Sequence, residues 1–119
     1  MANRQEGEVP MKNDYSYGWQ KLYCSVQVLV GPGDLRERLA DALLGLGLLT
    51  VSPEDHLPEV IRAEFTTFLK KMVSVKAIAN EGNLVATVNS LDETDLRRAA
   101  EKILDFYDKV CRYQEPFKS

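Results

Sequence analysis

Apolar positions along the chain recur mostly at intervals of three and four, the spacing that lines one face of an α-helix. From Tyr15, residues Trp19, Leu22, Tyr23, Val26, Leu29 and Val30 keep this interval until Gly31-Pro32-Gly33 ends it, predicting a first helix over 14–30. Val26, Val28 and Val30 alternate as a strand would, but the length of the periodic stretch favours the helix. Asp34-Leu35-Arg36-Glu37 has the spacing of a capping box, with the Asp34 carboxylate set to accept a free amide and Glu37 to reach back. Leu35, Leu39, Leu43 and Leu46 then predict a second helix running to about Leu48. Gly45 and Gly47 weaken its end, each by about 1 kcal/mol relative to alanine, or let a neighbour approach closely. Ser52-Pro53 is a further start signal, cap and first helical position, but Pro58 restricts 53–56 to one turn. A longer helix from Pro58 to about Val73 carries Ile61, Phe65, Phe68, Leu69 and Met72 on one face and Arg62, Thr66 and Lys70 opposite.

The stretch 74–91 is less regular. Asn80-Glu81-Gly82-Asn83 reads as a turn, after which Leu84–Val88 suits either a hairpin with Val75–Ala79 or a short helix capped by Asn83. A lone two-stranded hairpin is marginal without further strands, and none is evident, so the short helix is expected. Asp92 caps a final helix whose first turn carries Glu93 and Asp95, favourably placed against the positive end of its dipole. Leu96, Ala99, Ala100, Ile103, Tyr107 and Val110 form its inward stripe, while Arg98, Glu101, Lys102, Asp105 and Lys109 face water. The expectation is an all-α domain over 14–113, a small up-and-down four-helix bundle with one or two short extra helices. Residues 1–13 read as a mobile tail and 114–119 as a C-terminal tail, with Met11 an alternative start.

Composition narrows the function classes. A chain of 119 residues with 45% hydrophobic and 28% charged residues suits one folded domain rather than a disordered segment. A net charge of -3 argues against a nucleic-acid binder working by bulk charge. No uncharged apolar run approaches the ~18 residues of a membrane span, so no membrane partner is expected. The first residues lack an apolar signal core, which with only two cysteines leads to an expected cytoplasmic protein with free thiols.

Trp19-Gln20-Lys21-Leu22-Tyr23, Glu37–Ala42 and Pro53–Glu59, followed by the helix Asp92–Tyr113, together resemble a set of small uncharacterised bacterial proteins. The resemblance covers about residues 15–113 and rests on helix faces and caps. It implies a bacterial, cytosolic, all-helical protein, and it brings no activity, cofactor or site residue with it.

Glu54, Asp55, His56 and Glu59 form the only cluster of ligand-type side chains, able in principle to hold a divalent cation or to perform acid–base work through the single histidine. Acidic residues are also what helix starts favour, and that reading is the stronger. A Cys–His pair would need Cys24 or Cys111 beside His56, and no arginine precedes His56 at the Arg-x4-6-His spacing of helical-bundle ribonucleases. Gly31-Pro32-Gly33-Asp34 lacks the lysine and further glycines of a phosphate cradle, and Pro32 removes an amide. Lys70, Lys71 and Lys76, like Arg97, Arg98 and Lys102, read as solvated helix faces.

The first helix is the informative irregularity. Tyr17, Cys24 and Val28 lie opposite its main stripe, interrupted by Lys21, where a peripheral helix should be polar. Burial within the chain is the plainer explanation, and the functional one is an interface. The sequence therefore points to a non-enzymatic protein-interaction module, without cofactor, that associates with itself or another protein through helix 14–30. The alternatives are a small metal-dependent or acid–base site at Glu54–Glu59, and a regulatory partner of a co-encoded toxin or defence enzyme.

Overall fold

A computed structural model describes residues 15–50 and 52–113; both expected tails, with Met11, lie outside them. Among the described residues the chain is all helical, with six α-helices and no strand. These are α1 (Ser16–Leu29), α2 (Leu35–Leu46), α3 (Pro53–His56), α4 (Glu59–Lys71), α5 (Asn83–Ser90) and α6 (Glu93–Cys111), with a 3-10 turn Gly47–Thr50 after α2.

Helix starts follow the chemistry of free amides. Asp34 accepts from the Glu37 amide at 2.8 Å and Asp92 from the Asp95 amide at 2.8 Å, so both carboxylates cap as expected. Ser52 occupies the cap position of α3 through its backbone alone, its carbonyl accepting from Asp55 at 3.0 Å. Pro58 stands outside α4 as its cap residue rather than opening it, because its extended backbone (ψ 146°) departs from the helix. Asn83 does not cap α5. Gly82 holds that position at φ 86°, a left-handed conformation that glycine adopts without strain, and the Asn83 carboxamide accepts instead from Ala77 at 2.9 Å.

Helix ends are held by arginines. Arg36 donates to the carbonyls of Val88 at 2.6 Å and Leu91 at 2.8 Å at the end of α5, where the Val88 carbonyl also accepts from the Leu91 amide at 3.2 Å. Arg38 donates to Leu29 at the end of α1 and to Gly33 at 2.9 Å, fixing the Gly31–Gly33 turn. Arg62 donates to Leu57 at 2.8 Å and Glu54 at 3.1 Å, tying α4 back to the one-turn α3.

The core gathers apolar residues from every helix but α3, and from the connections. α1 packs on α2, α3 and α6, α2 also meets α5 and α6, and α4 meets α6. Leu22, Leu39, Leu46, Leu49, Leu57, Phe65, Ile103, Phe106 and Val110 are fully buried. Phe65 meets Phe106 edge to face at 5.2 Å, and Phe68 lies 5.7 Å from Phe106, joining α4 to α6. The inward stripe of α6 differs from expectation here: Phe106 is its buried aromatic, while Tyr107 and Ala100 are half-buried at the edge. Lys102 and Lys109 reach the surface as expected and both pair there with Glu64 of α4, Lys109 at 3.6 Å. These ammonium groups, with the Lys102 hydrogen bond foremost, hold the Glu64 carboxyl below the usual carboxylate range.

Candidate functional site

The first helix organises the surface around it. At about 100° per residue, Gly18, Leu22, Ser25 and Leu29 fall on one buried face. Ser25 is 2% exposed, and its hydroxyl donates to the Ala42 carbonyl of α2 at 2.8 Å, which satisfies the one polar group on that face. Gly18 lets α3 approach: a Cβ there would meet the His56 carbonyl oxygen at 2.1 Å. Gly45 of α2 lies on the Ser25 side, but a Cβ there would stand 3.9 Å from the hydroxyl, an ordinary contact, and one at Gly47 would meet nothing within 4 Å, so close approach explains neither late glycine.

One flank of α1 is aromatic and meets α6. Trp19 stacks on Tyr23 at 5.2 Å with nearly parallel rings, and Tyr107 tilts against both at 6.2 and 6.1 Å. The Trp19 indole N–H donates to the Cys111 sulfur at 3.3 Å. Burial pushes the Tyr107 hydroxyl above its ordinary pKa, and the adjacent Cys111 and Tyr23 add to the shift against an opposing hydrogen bond from Trp19. The group is therefore a neutral, protonated phenol in any physiological range. This cluster was readable as two i, i+4 pairs, Trp19 with Tyr23 and Tyr107 with Cys111, on helices expected to pack together.

The other flank carries Tyr17, Lys21, Cys24 and Val28. Tyr17 is 40% exposed and is shared between His56, whose ring lies 4.7 Å away, and Lys21, whose ammonium sits 5.5 Å from the ring centre. Thus α3 covers the first turn of this flank. Cys24 is exposed and Val28 is 38% exposed, with Val30 at 76% just past the helix end. The three expected interface residues are consequently split, one against α3 and two open. Cys111 meets Trp19, about 140° around α1 from Cys24 at the helical rise per residue, and both thiols are free.

The acidic candidates do not converge. Glu54 and Asp55 are exposed on α3, Glu59 is exposed in the first turn of α4, and His56 is half-buried against Tyr17. Among the described residues no three His, Cys, Asp or Glu side chains form a group that could hold a metal ion. A cleft of about 290 Å³ lies elsewhere, between the starts of α2 and α6, lined by Asp34, Leu35, Arg36, Glu93, Leu96 and Arg97. Its two carboxylates and two guanidinium groups select neither an anion nor a cation, and Arg36 is already committed to α5. Comparison with family models, curated proteins and solved structures finds no match to this chain.

Proposed function

We propose that this protein is a non-enzymatic bacterial interaction module that associates through the open flank of α1, with a second copy of the chain as its first partner. In this reading the four longer helices make an up-and-down bundle, and the short α3 and α5 are additions to it. The observation that supports the association is the exposure of Cys24, Val28 and Val30 together beyond the turn covered by α3. A helix with only one core face to fill needs no apolar residues there, and the fully buried centre of an interface is where apolar surface of this kind is used. Ser16, Gln20 and Gln27 confine the polar side of α1 to a narrow strip, which suits an interface on either side of it.

Sedimentation velocity across a concentration series tests the reading. The expected result is a species heavier than one 13.4 kDa chain, shifted to the monomer by Val28→Lys with the helical circular dichroism unchanged. A strict monomer at every concentration, whose binding to other proteins is also indifferent to Val28→Lys, would sink it.

A further inference from the structure

The connection between α4 and α5 is the most exposed apolar feature of the described chain. Ile78 is 95% exposed there, and Val73 and Val75 are 45% and 37% exposed. A single exposed aliphatic side chain is ordinary on a protein surface, but here it stands within a biased run of sequence. From Phe65 to Asn80 there is no acidic residue, while Lys70, Lys71 and Lys76 are all present and exposed. Residues 65–91 carry three lysines and one glutamate, so this segment is positive although the whole chain is -3. Charge is segregated, with the apolar tip on the basic part.

The backbone of the same loop is unusually well satisfied. The Val75 amide donates to the Thr87 hydroxyl at 2.9 Å and the Ala77 amide to the Asn83 carboxamide at 2.9 Å. The Ala79 and Ile78 amides turn onto the Glu81 carboxylate at 3.0 and 3.4 Å. Four loop N–H groups therefore find acceptors inside the chain, and the single acidic side chain of the region is spent on them. Amides already paired in this way need not be stripped of water when the tip leaves it, and the one charge among their acceptors is the Glu81 carboxylate.

We infer that the 72–82 loop is a membrane-contact element: Ile78 enters the headgroup boundary of an anionic bilayer while Lys70, Lys71 and Lys76 meet its phosphates and carboxylates. The chemistry favours a lipid surface over an acidic protein. A protein would have to supply a fitted pocket for a convex tip, whereas a bilayer accepts an isolated apolar side chain wherever it touches. Lysines behind a short apolar tip match the negative potential of such a surface, which falls off within about 8 Å at physiological salt. The contact is interfacial, since none of the described helices is long and apolar enough to cross a membrane. It is separate from the proposed association through α1 and stands or falls without it.

Co-sedimentation of the full chain with vesicles tests the inference, using phosphatidylcholine alone and phosphatidylcholine containing phosphatidylserine. Wild type is expected to pellet with the anionic vesicles, to remain in solution with the neutral ones, and to release as salt is raised. Ile78→Asp should weaken partitioning about tenfold or more through the lost apolar burial. Each lysine changed to glutamine should weaken it roughly fivefold. All four side chains are exposed, so circular dichroism of the variants should match wild type. Failure of wild type to bind anionic vesicles overturns the inference and leaves an acidic protein surface as the occupant. Equal binding by Ile78→Asp overturns the insertion of the tip, and equal binding to neutral vesicles overturns the role of the lysines.

Discussion

A methyl group at Gly18 would sit 2.1 Å from the His56 carbonyl oxygen, far inside contact distance, and the obstacle is backbone that cannot swing away. Gly18→Ala therefore pits a gain of about 1 kcal/mol in helix propensity against an overpacking cost that is typically about 1–3 kcal/mol. The expected net effect is a loss of stability, read as a lower urea midpoint with unchanged slope. A variant as stable as wild type would show that α3 does not pack under α1. Tyr107 makes a second prediction through pH. Its folded pKa is raised, so its contribution is fully present below the unfolded value of about 10 and is lost as pH rises through the folded value. Wild type should lose stability through this alkaline range more steeply than Tyr107→Phe, which has no proton to lose. Parallel curves for the two proteins in a pH series of thermal melts would remove the phenol from the account.

At the scale of elements, the arginines decide which helix ends hold. α5 has only eight residues, too few to persist in water without packing and end contacts. Arg36 supplies the end contact, with one guanidinium bridging the carbonyls of Val88 and Leu91. Arg36→Ala is expected to cost about 1.5–3 kcal/mol, the range for a hydrogen bond to a charged group. Faster amide hydrogen exchange should appear first in α5. Both bonds leave the single nitrogen Nη1, so Arg36→Lys, whose ammonium has three donors on one nitrogen, should restore part of the protection. Unchanged exchange in α5 would mean that packing against α2 alone holds it. None of this was legible in advance, because Arg36 and Arg38 sit among the charged positions that a periodic reading assigns to solvent. The caps at Asp34 and Asp92 were legible, because a carboxylate three residues before a free amide acts within one turn of chain.

At the scale of the molecule, the core is closed by contacts between helices distant in sequence. Phe106 is fully buried and touches both Phe65 and Phe68 across the α4–α6 junction. Phe106→Ala is expected to cost about 3–5 kcal/mol, by lost burial plus the cavity left behind. Against a domain stability of roughly 5–15 kcal/mol, that is a large part of the whole, visible as a strong fall in melting temperature. A change below about 1 kcal/mol would show that α4 docks loosely. The inward stripe drawn from spacing placed Tyr107 inside and omitted Phe106, although the two are neighbours. About 100° of helix rotation separates adjacent residues, so the choice between them depends on the direction from which α4 arrives.

The amino-acid sequence determined the helical class, the approximate spans of the longer helices and the two carboxylate caps, because periodicity and capping act over a few residues and need no knowledge of the rest. It also marked α1 as carrying more apolar surface than one face can use. Which part of that surface is covered was decided only by the tertiary structure. α6 takes the Trp19 flank, α3 takes Tyr17, and Cys24 and Val28 stay open. The dispersal of Glu54, Asp55, His56 and Glu59 was decided there too, since a short separation along the chain does not aim side chains at one point. Burial and convergence belong to the angles at which helices meet, and those angles are set by all the contacts at once.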